Sequence, residues 1–160
     1  NMISWVLFAS KFIKKNPQIN QKDDKGDLVT SYDLKIEKFL IKKIKDNYPN
    51  FDIISEEFNP EKIASENYFL IDPIDGTVNF SNNIPHWGIQ MACIKDNNIC
   101  AAVIYLPTTK ELFYADKNGA FKNDKKIILK ENISNKNLFA IISGKKKKIV
   151  LVGYRMISVH

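Results

Sequence analysis

No apolar run in this 160-residue chain approaches the ~20 residues that carry a helix across a bilayer. The apolar segment 3–8 is short. It lacks a basic start and a small-residue cleavage site, which argues against a signal peptide. Cysteine is scarce, with Cys93 and Cys100 alone, and no His/Cys cluster has zinc spacing. The two cysteines fall on expected consecutive strands joined by a tight turn at Asp96-Asn97, close enough for a bridge. Without an export signal, free thiols in a reducing cytoplasm are the expectation. No internal repeat is visible. Acidic residues are outnumbered, and the net charge is +6. Most lysines, such as Lys35, Lys38, Lys42, Lys43 and Lys45, are spread over helix faces and turns. The one dense run, 145–148, has no interleaved aromatics and matches no nucleic-acid motif. It reads as a solvated surface, and nucleic acid is not an expected partner. An RNA contact through that run would show itself as salt-dependent binding.

What remains is ample for a core. Apolar residues make up 44% and charged residues 26%, the balance of one globular domain. The spacing predicts an amphipathic helix over 3–15, stopped by Asn16-Pro17, and a polar loop to a turn at Gly26-Asp27. A short extended piece at 28–29 precedes a second helix over 31–47. Its apolar positions Ile36, Phe39, Leu40 and Ile44 recur at helical intervals, and Pro49 follows its end. Strands are expected at 51–55, 68–71, 88–95, 98–106 and 111–115, with weaker ones at 120–121, 127–129 and 138–142. Helices first and antiparallel strands after indicate an α+β fold.

The informative stretch is Asp72-Pro73-Ile74-Asp75-Gly76-Thr77-Val78-Asn79-Phe80. Two carboxylates three residues apart close an apolar strand, with Pro73-Ile74 expected as a rigid turn between them. Magnesium prefers oxygen donors, and strand-end carboxylates with the Ile74 carbonyl between them supply such a set. Glu56-Glu57 ends another strand upstream. A cluster of like charges is unfavourable unless cations occupy it. Two metals about 3.5–4 Å apart would clamp the attacking and leaving oxygens of an in-line displacement. Gly76-Thr77 is expected to open a helix whose first N–H groups can seat a phosphate. Asp33 has two compatible readings. Thr30-x-x-Asp33 has the form of a capping box. Asp33 could also accept a hydrogen bond from Thr77, making the pair a proton acceptor for an attacking water. The plain alternatives are a solvated strand end for Glu56-Glu57 and ordinary turns for Asp72 and Asp75.

Residues 72–80 resemble the signature Asp-Pro-Ile-Asp-Gly-Thr-x-Asn-Phe of the inositol monophosphatase family. Glu56-Glu57, Asp27-Leu28-Val29-Thr30-Ser31-Tyr32-Asp33, Pro85-His86-Trp87, Glu111-Leu112-Phe113 and Gly119-Ala120-Phe121 resemble further family segments in the same order, over about 20–130. The resemblance implies a layered α/β/α/β/α sandwich, a magnesium-dependent phosphomonoesterase and a homodimer. It implies Glu56, Asp72 and the Ile74 carbonyl at a first metal and Asp72 with Asp75 at a second, with Glu57 assisting. It also implies Gly76 and Thr77 on the phosphate, Asp75 toward the substrate, Thr77 with Asp33 on the water, and Lys22 near the phosphates. Glu56 joins the catalytic set through its metal.

The family's second half carries a Trp-Asp-x-Ala-Ala-Gly-like motif whose aspartate completes the second metal site, and this sequence shows nothing like it. Residues 1–143 therefore read as the metal- and phosphate-binding part, and 144–160 as a tail outside the pattern, frameshifted or divergent. Sheet and helix faces are then expected to lie exposed. The implied substrate is inositol 1-phosphate or another small phosphorylated polyol or sugar. Fructose-1,6-bisphosphate and 3′-phosphoadenosine 5′-phosphate are the alternatives. The competing reading is a catalytically impaired fragment that only binds metal or dimerises.

Overall fold

The computed structural model describes residues 1–14, 19–21, 28–60 and 64–128. Lys22, Asp27, the expected strand at 138–142 and the tail 144–160 lie outside the described residues. All assigned elements belong to the unit Asn1–Ile127.

Helix α1 spans Met2–Ala9 and passes into a single 3-10 turn, Ser10–Phe12. It is shorter than the 3–15 expected. The Ser10 hydroxyl turns back to donate to the Leu7 carbonyl at 2.9 Å, and Ile13 is already extended. Strands β1 (Ile19–Gln21) and β2 (Leu28–Thr30) form a small antiparallel ribbon. Helix α2 spans Ser31–Asn47, as its periodicity predicts. It opens on a complete capping box. Thr30 Oγ1 accepts from the N–H groups of Tyr32 and Asp33, and Asp33 Oδ2 accepts from the Thr30 N–H at 2.8 Å.

Strands β3 (Asp52–Ser55), β4 (Tyr68–Asp75), β5 (Gly88–Lys95), β6 (Asn98–Leu106), β7 (Glu111–Asp116), β8 (Gly119–Lys122) and β9 (Lys125–Lys126) form one sheet in chain order. Only the β3–β4 pair is parallel. Among the described residues the last strand is Lys125–Lys126, after a turn with positive φ at Asn123 and Asp124. Of the strand expected at 127–129, residues 127 and 128 are not strand and 129 lies outside the described residues. The β5–β6 turn at Asp96-Asn97 has positive φ at both residues, as a two-residue hairpin requires. Cys93 pairs with Ala101, and the register slips before Ile94 meets Ile99. Cys100 is thus the extra residue of a bulge, and both thiols are free.

One sheet face meets the helices. Phe69, Ile71, Ile89, Met91 and Val103 pack with Trp5, Val6 and Ala9 of α1 and Ile36, Leu40 and Ile44 of α2. Each Val, Leu, Ile, Met or Phe among them, fully buried, contributes roughly 1.5–3 kcal/mol relative to exposure. Leu70 and Ile104 point from the opposite face and remain exposed. Helices packed on one face of a mixed, mainly antiparallel sheet make the fold α+β.

Candidate active site

β3 ends at the Ser55–Ile71 pair, but β4 runs on through Asp72, Pro73, Ile74 and Asp75. The rigid turn expected at Pro73-Ile74 is instead strand. Beyond Ile71, β4 has no β3 neighbour on that edge, so the N–H that proline lacks is not needed there. On the other edge the register with β5 shifts between Asp72–Gln90 and Asp75–Gly88, a bulge of one extra residue. Adjacent Pro73 and Ile74 are consequently both buried, whereas Asp72 is half-buried and Asp75 exposed. A regular strand would send positions 72 and 75 to opposite faces. The bulge sets both on the same side, near enough for the Asp75 charge to raise the Asp72 carboxyl.

Gly76 follows in the left-handed region, φ 89°. A Cβ there would lie 2.9 Å from the His86 carbonyl oxygen. That same oxygen accepts from Asn79 Nδ2 at 2.7 Å. The ring of Phe80 meets Trp87 edge-on at 4.8 Å between centroids. Gly76, Asn79 and Phe80 therefore lock onto 86–87, which explains why both segments appear in the motif set. Helix α3, Thr77–Ser81, begins directly after Gly76, as expected. The Thr77 hydroxyl donates to the Ile74 carbonyl at 2.9 Å, so its one proton does not go to Asp33.

Acids converge on Asp72. Burial raises its carboxyl first, then the charges of Glu56 and Asp75, a hydrogen bond with the Glu56 carboxyl, and the charge of Asp33, until it is pushed up to about 8. Its Oδ1 is buried without a hydrogen-bond partner. Asp33 is wholly buried, and burial pushes its carboxyl up against the hydrogen bonds from Thr30 that pull it down. Its Oδ1 likewise has no partner. Asp75 accepts a hydrogen bond from Gln90 Nε2. Two residues were invisible to the sequence reading. One is Gln90. The other is Glu37, whose wholly buried carboxylate accepts from the N–H groups of Glu57 (2.9 Å) and Phe58 (2.8 Å).

The structure thus brings Glu56, Asp72, Asp75 and Asp33 into one electrostatic cluster beside Gly76 and Thr77. Among the described residues, no three His, Cys, Asp or Glu side chains close on a single point as they stand. The donor chemistry nevertheless fits a hard divalent cation. Oxygen ligands are gathered at strand ends, one carboxyl is driven far above its ordinary range by its neighbours, and it keeps an orphaned buried oxygen.

Fold and site together define a class: α+β proteins in which strand-end acids face a glycine-led helix. The sequence pattern of the inositol monophosphatase family matches residues 3–151, extending on both sides of the motif-bearing stretch. The chain belongs to that family. It is 32% identical over 117 residues to the fructose-1,6-bisphosphatase/inositol-1-monophosphatase of Thermotoga maritima, covering 72% of this chain and 45% of that one. It is 37% identical over 118 residues to the inositol monophosphatase of Dictyostelium discoideum, covering 70% and 43%. A solved IMPase/NADP phosphatase complexed with Mg2+ and phosphate superposes with a TM-score of 0.72 at 25% identity, covering 78% of this chain and 50% of that one. The chain spans a little under half the length of the two curated relatives. The layered sandwich implied by the motifs is the fold of these neighbours, represented here by about half of it.

Proposed function

We propose that this chain carries the metal- and phosphate-binding part of a magnesium-dependent phosphomonoesterase, with inositol 1-phosphate as substrate. The observation that carries the reading is the Asp72 carboxyl, held near pKa 8 among Glu56, Asp75 and Asp33 with one oxygen unsatisfied. An acid cluster of this kind is unfavourable by itself, and cations offset it.

In this reading Glu56, Asp72 and the Ile74 carbonyl hold one magnesium, Asp72 and Asp75 hold another, and Glu57 assists. Magnesium, when bound, supplies positive charge to the phosphoryl oxygens and makes the attacking water more acidic. Gly76 and Thr77 bind the phosphate through their backbone, the left-handed turn at Gly76 setting the start of α3. The first N–H groups of α3 lack partners within the helix and would take phosphate oxygens. Asp33 takes the water's proton on its orphaned Oδ1, while the Thr77 hydroxyl, its own proton donated to the Ile74 carbonyl, is left to accept from the water. Asp75 also orients the substrate, and Lys22 adds a positive charge near the phosphate. The enzyme works in the cytoplasm as a homodimer. Among the described residues no helix is long and apolar enough to cross a membrane.

Phosphate release from myo-inositol 1-phosphate by the 160-residue chain, titrated with magnesium, tests the reading, with Asp75→Asn as control. Magnesium-dependent release abolished by the substitution supports it. Faster release from fructose-1,6-bisphosphate or 3′-phosphoadenosine 5′-phosphate would move the substrate assignment. Magnesium binding without any release would leave the chain as a binding or dimerising module only.

A further inference from the structure

Glu37 lies one helical turn beyond Asp33 on the buried face of α2, and neither residue exposes any surface. A carboxylate so placed is costly unless its oxygens are satisfied. Both of them are. Oε2 accepts from the N–H of Glu57 and Oε1 from the N–H of Phe58, at 2.9 and 2.8 Å. These are successive backbone donors of the loop that follows β3. A bridge between Ser55 and Asn59 closes that loop at its base. Two consecutive N–H groups turned onto one anion form a concave anion seat, here filled by the chain's own carboxylate.

The consequence is directional. The N–H of Glu57 fixes the peptide plane between residues 56 and 57. The N–H of Phe58 fixes the plane between 57 and 58. Both planes flanking the Glu57 Cα are pinned, and so is the plane that leaves Glu56. The directions in which these two side chains depart from the backbone are thereby set. Charge-assisted bonds of this kind are about twice as strong as neutral ones. No lysine or arginine is needed, so the clamp adds no cation to the acid cluster.

Resting on the magnesium reading of the site, we infer that Glu37 is a positioning residue that aims the Glu56-Glu57 pair at the metal. It acts through the backbone and touches neither metal nor substrate. Glu37→Gln is the informative substitution. The carboxamide keeps the shape but turns an NH2 group toward one of the two N–H donors, so one bond is lost and one donor is opposed.

The test combines amide hydrogen exchange with calorimetric magnesium binding on the full 160-residue chain. In the native chain the Glu57 and Phe58 amides are expected among the slowly exchanging set. Glu37→Gln should speed at least one of them about tenfold and weaken magnesium binding about tenfold, the loss vanishing at saturating magnesium. Ile44→Val, a mild core change on the same helix, should do neither. Fast exchange at both amides in the native chain would overturn the clamp whatever the variant does. So would magnesium affinity unmoved by Glu37→Gln, or an equal loss in Ile44→Val. Failure of the native chain to bind magnesium would instead sink the functional reading of the site, and the role of Glu37 with it.

Discussion

The two ends of the sheet treat acidic residues in opposite ways. In the β7–β9 meander each acid is matched. Glu111 forms an ion pair with Lys122, whose hydrogen bond holds its carboxyl below the usual range. Asp124 accepts from the Tyr114 hydroxyl at 3.0 Å, and Asp116 accepts from the Asn118 N–H at 2.8 Å. At the ends of β3 and β4, acid faces acid. Asp72 is driven up by Glu56, Asp75 and Asp33, and oxygens of Asp72 and Asp33 are left buried without donors. Folding alone favours the first arrangement. The second is retained against its cost, and such sites are where function is sought.

The contrast breaks most sharply at Asp72. Asp72→Asn should cut magnesium-dependent turnover by at least about 100-fold, beyond what loss of an outlying partner costs. The opposing meander substitution Glu111→Gln should leave turnover intact. Initial rates at saturating magnesium check both.

Stability against pH should separate the two ends next. The folded chain holds the Asp72 proton up to about 8, while the unfolded chain releases it near 3.8. Between these values the folded state binds more protons, so Asp72 contributes stability at the acid end that is lost as pH rises through about 8. In metal-free buffer the thermal midpoint should fall over that range, and Asp72→Asn should flatten the fall. Glu111 runs the other way. Its lowered carboxyl contributes above the ordinary carboxylate range and fades as pH drops through its folded value, a small effect at so open a position.

Gly76→Ala should destabilise by about 1–2 kcal/mol from the left-handed backbone alone, and by more through the clash with the His86 carbonyl. Thr30→Ala removes the cap that seats Asp33 and should cost about 1 kcal/mol. Urea unfolding measures both. Smallest of all, Glu111→Gln should change stability by no more than about 0.5 kcal/mol. A larger loss would mean that the meander's pairing is more than a rim effect.

Much of this was legible in the residues. The capping box needs only Thr30 and Asp33, three apart, and α2 starts where they place it. Asp96-Asn97 between two apolar runs called for a tight hairpin, and one is there. Gly76-Thr77 was legible as the opening of a helix, and α3 begins there. Other features escaped. Glu37 looks like any helix-face acid, because its partners lie 20 and 21 residues away. Pro73 looks like a turn, because nothing local announces that β3 stops at Ser55, opposite Ile71, while β4 runs on. Of the two readings of Asp33 the cap is present, whereas the Thr77 hydroxyl donates its proton to the Ile74 carbonyl.

The sequence by itself determined the family and the strand-end acid motif. It also determined the Asp96-Asn97 turn and the Thr30–Asp33 cap, because each of these is settled by atoms within a few residues of one another. Only the tertiary structure decided that a bulge turns Asp72 and Asp75 the same way, that Glu37 clamps the loop bearing Glu56 and Glu57, and how far Asp72 is pushed from its ordinary range. Register, desolvation and charge repulsion depend on what lies a few ångströms away in space, and spacing along the chain does not carry that distance.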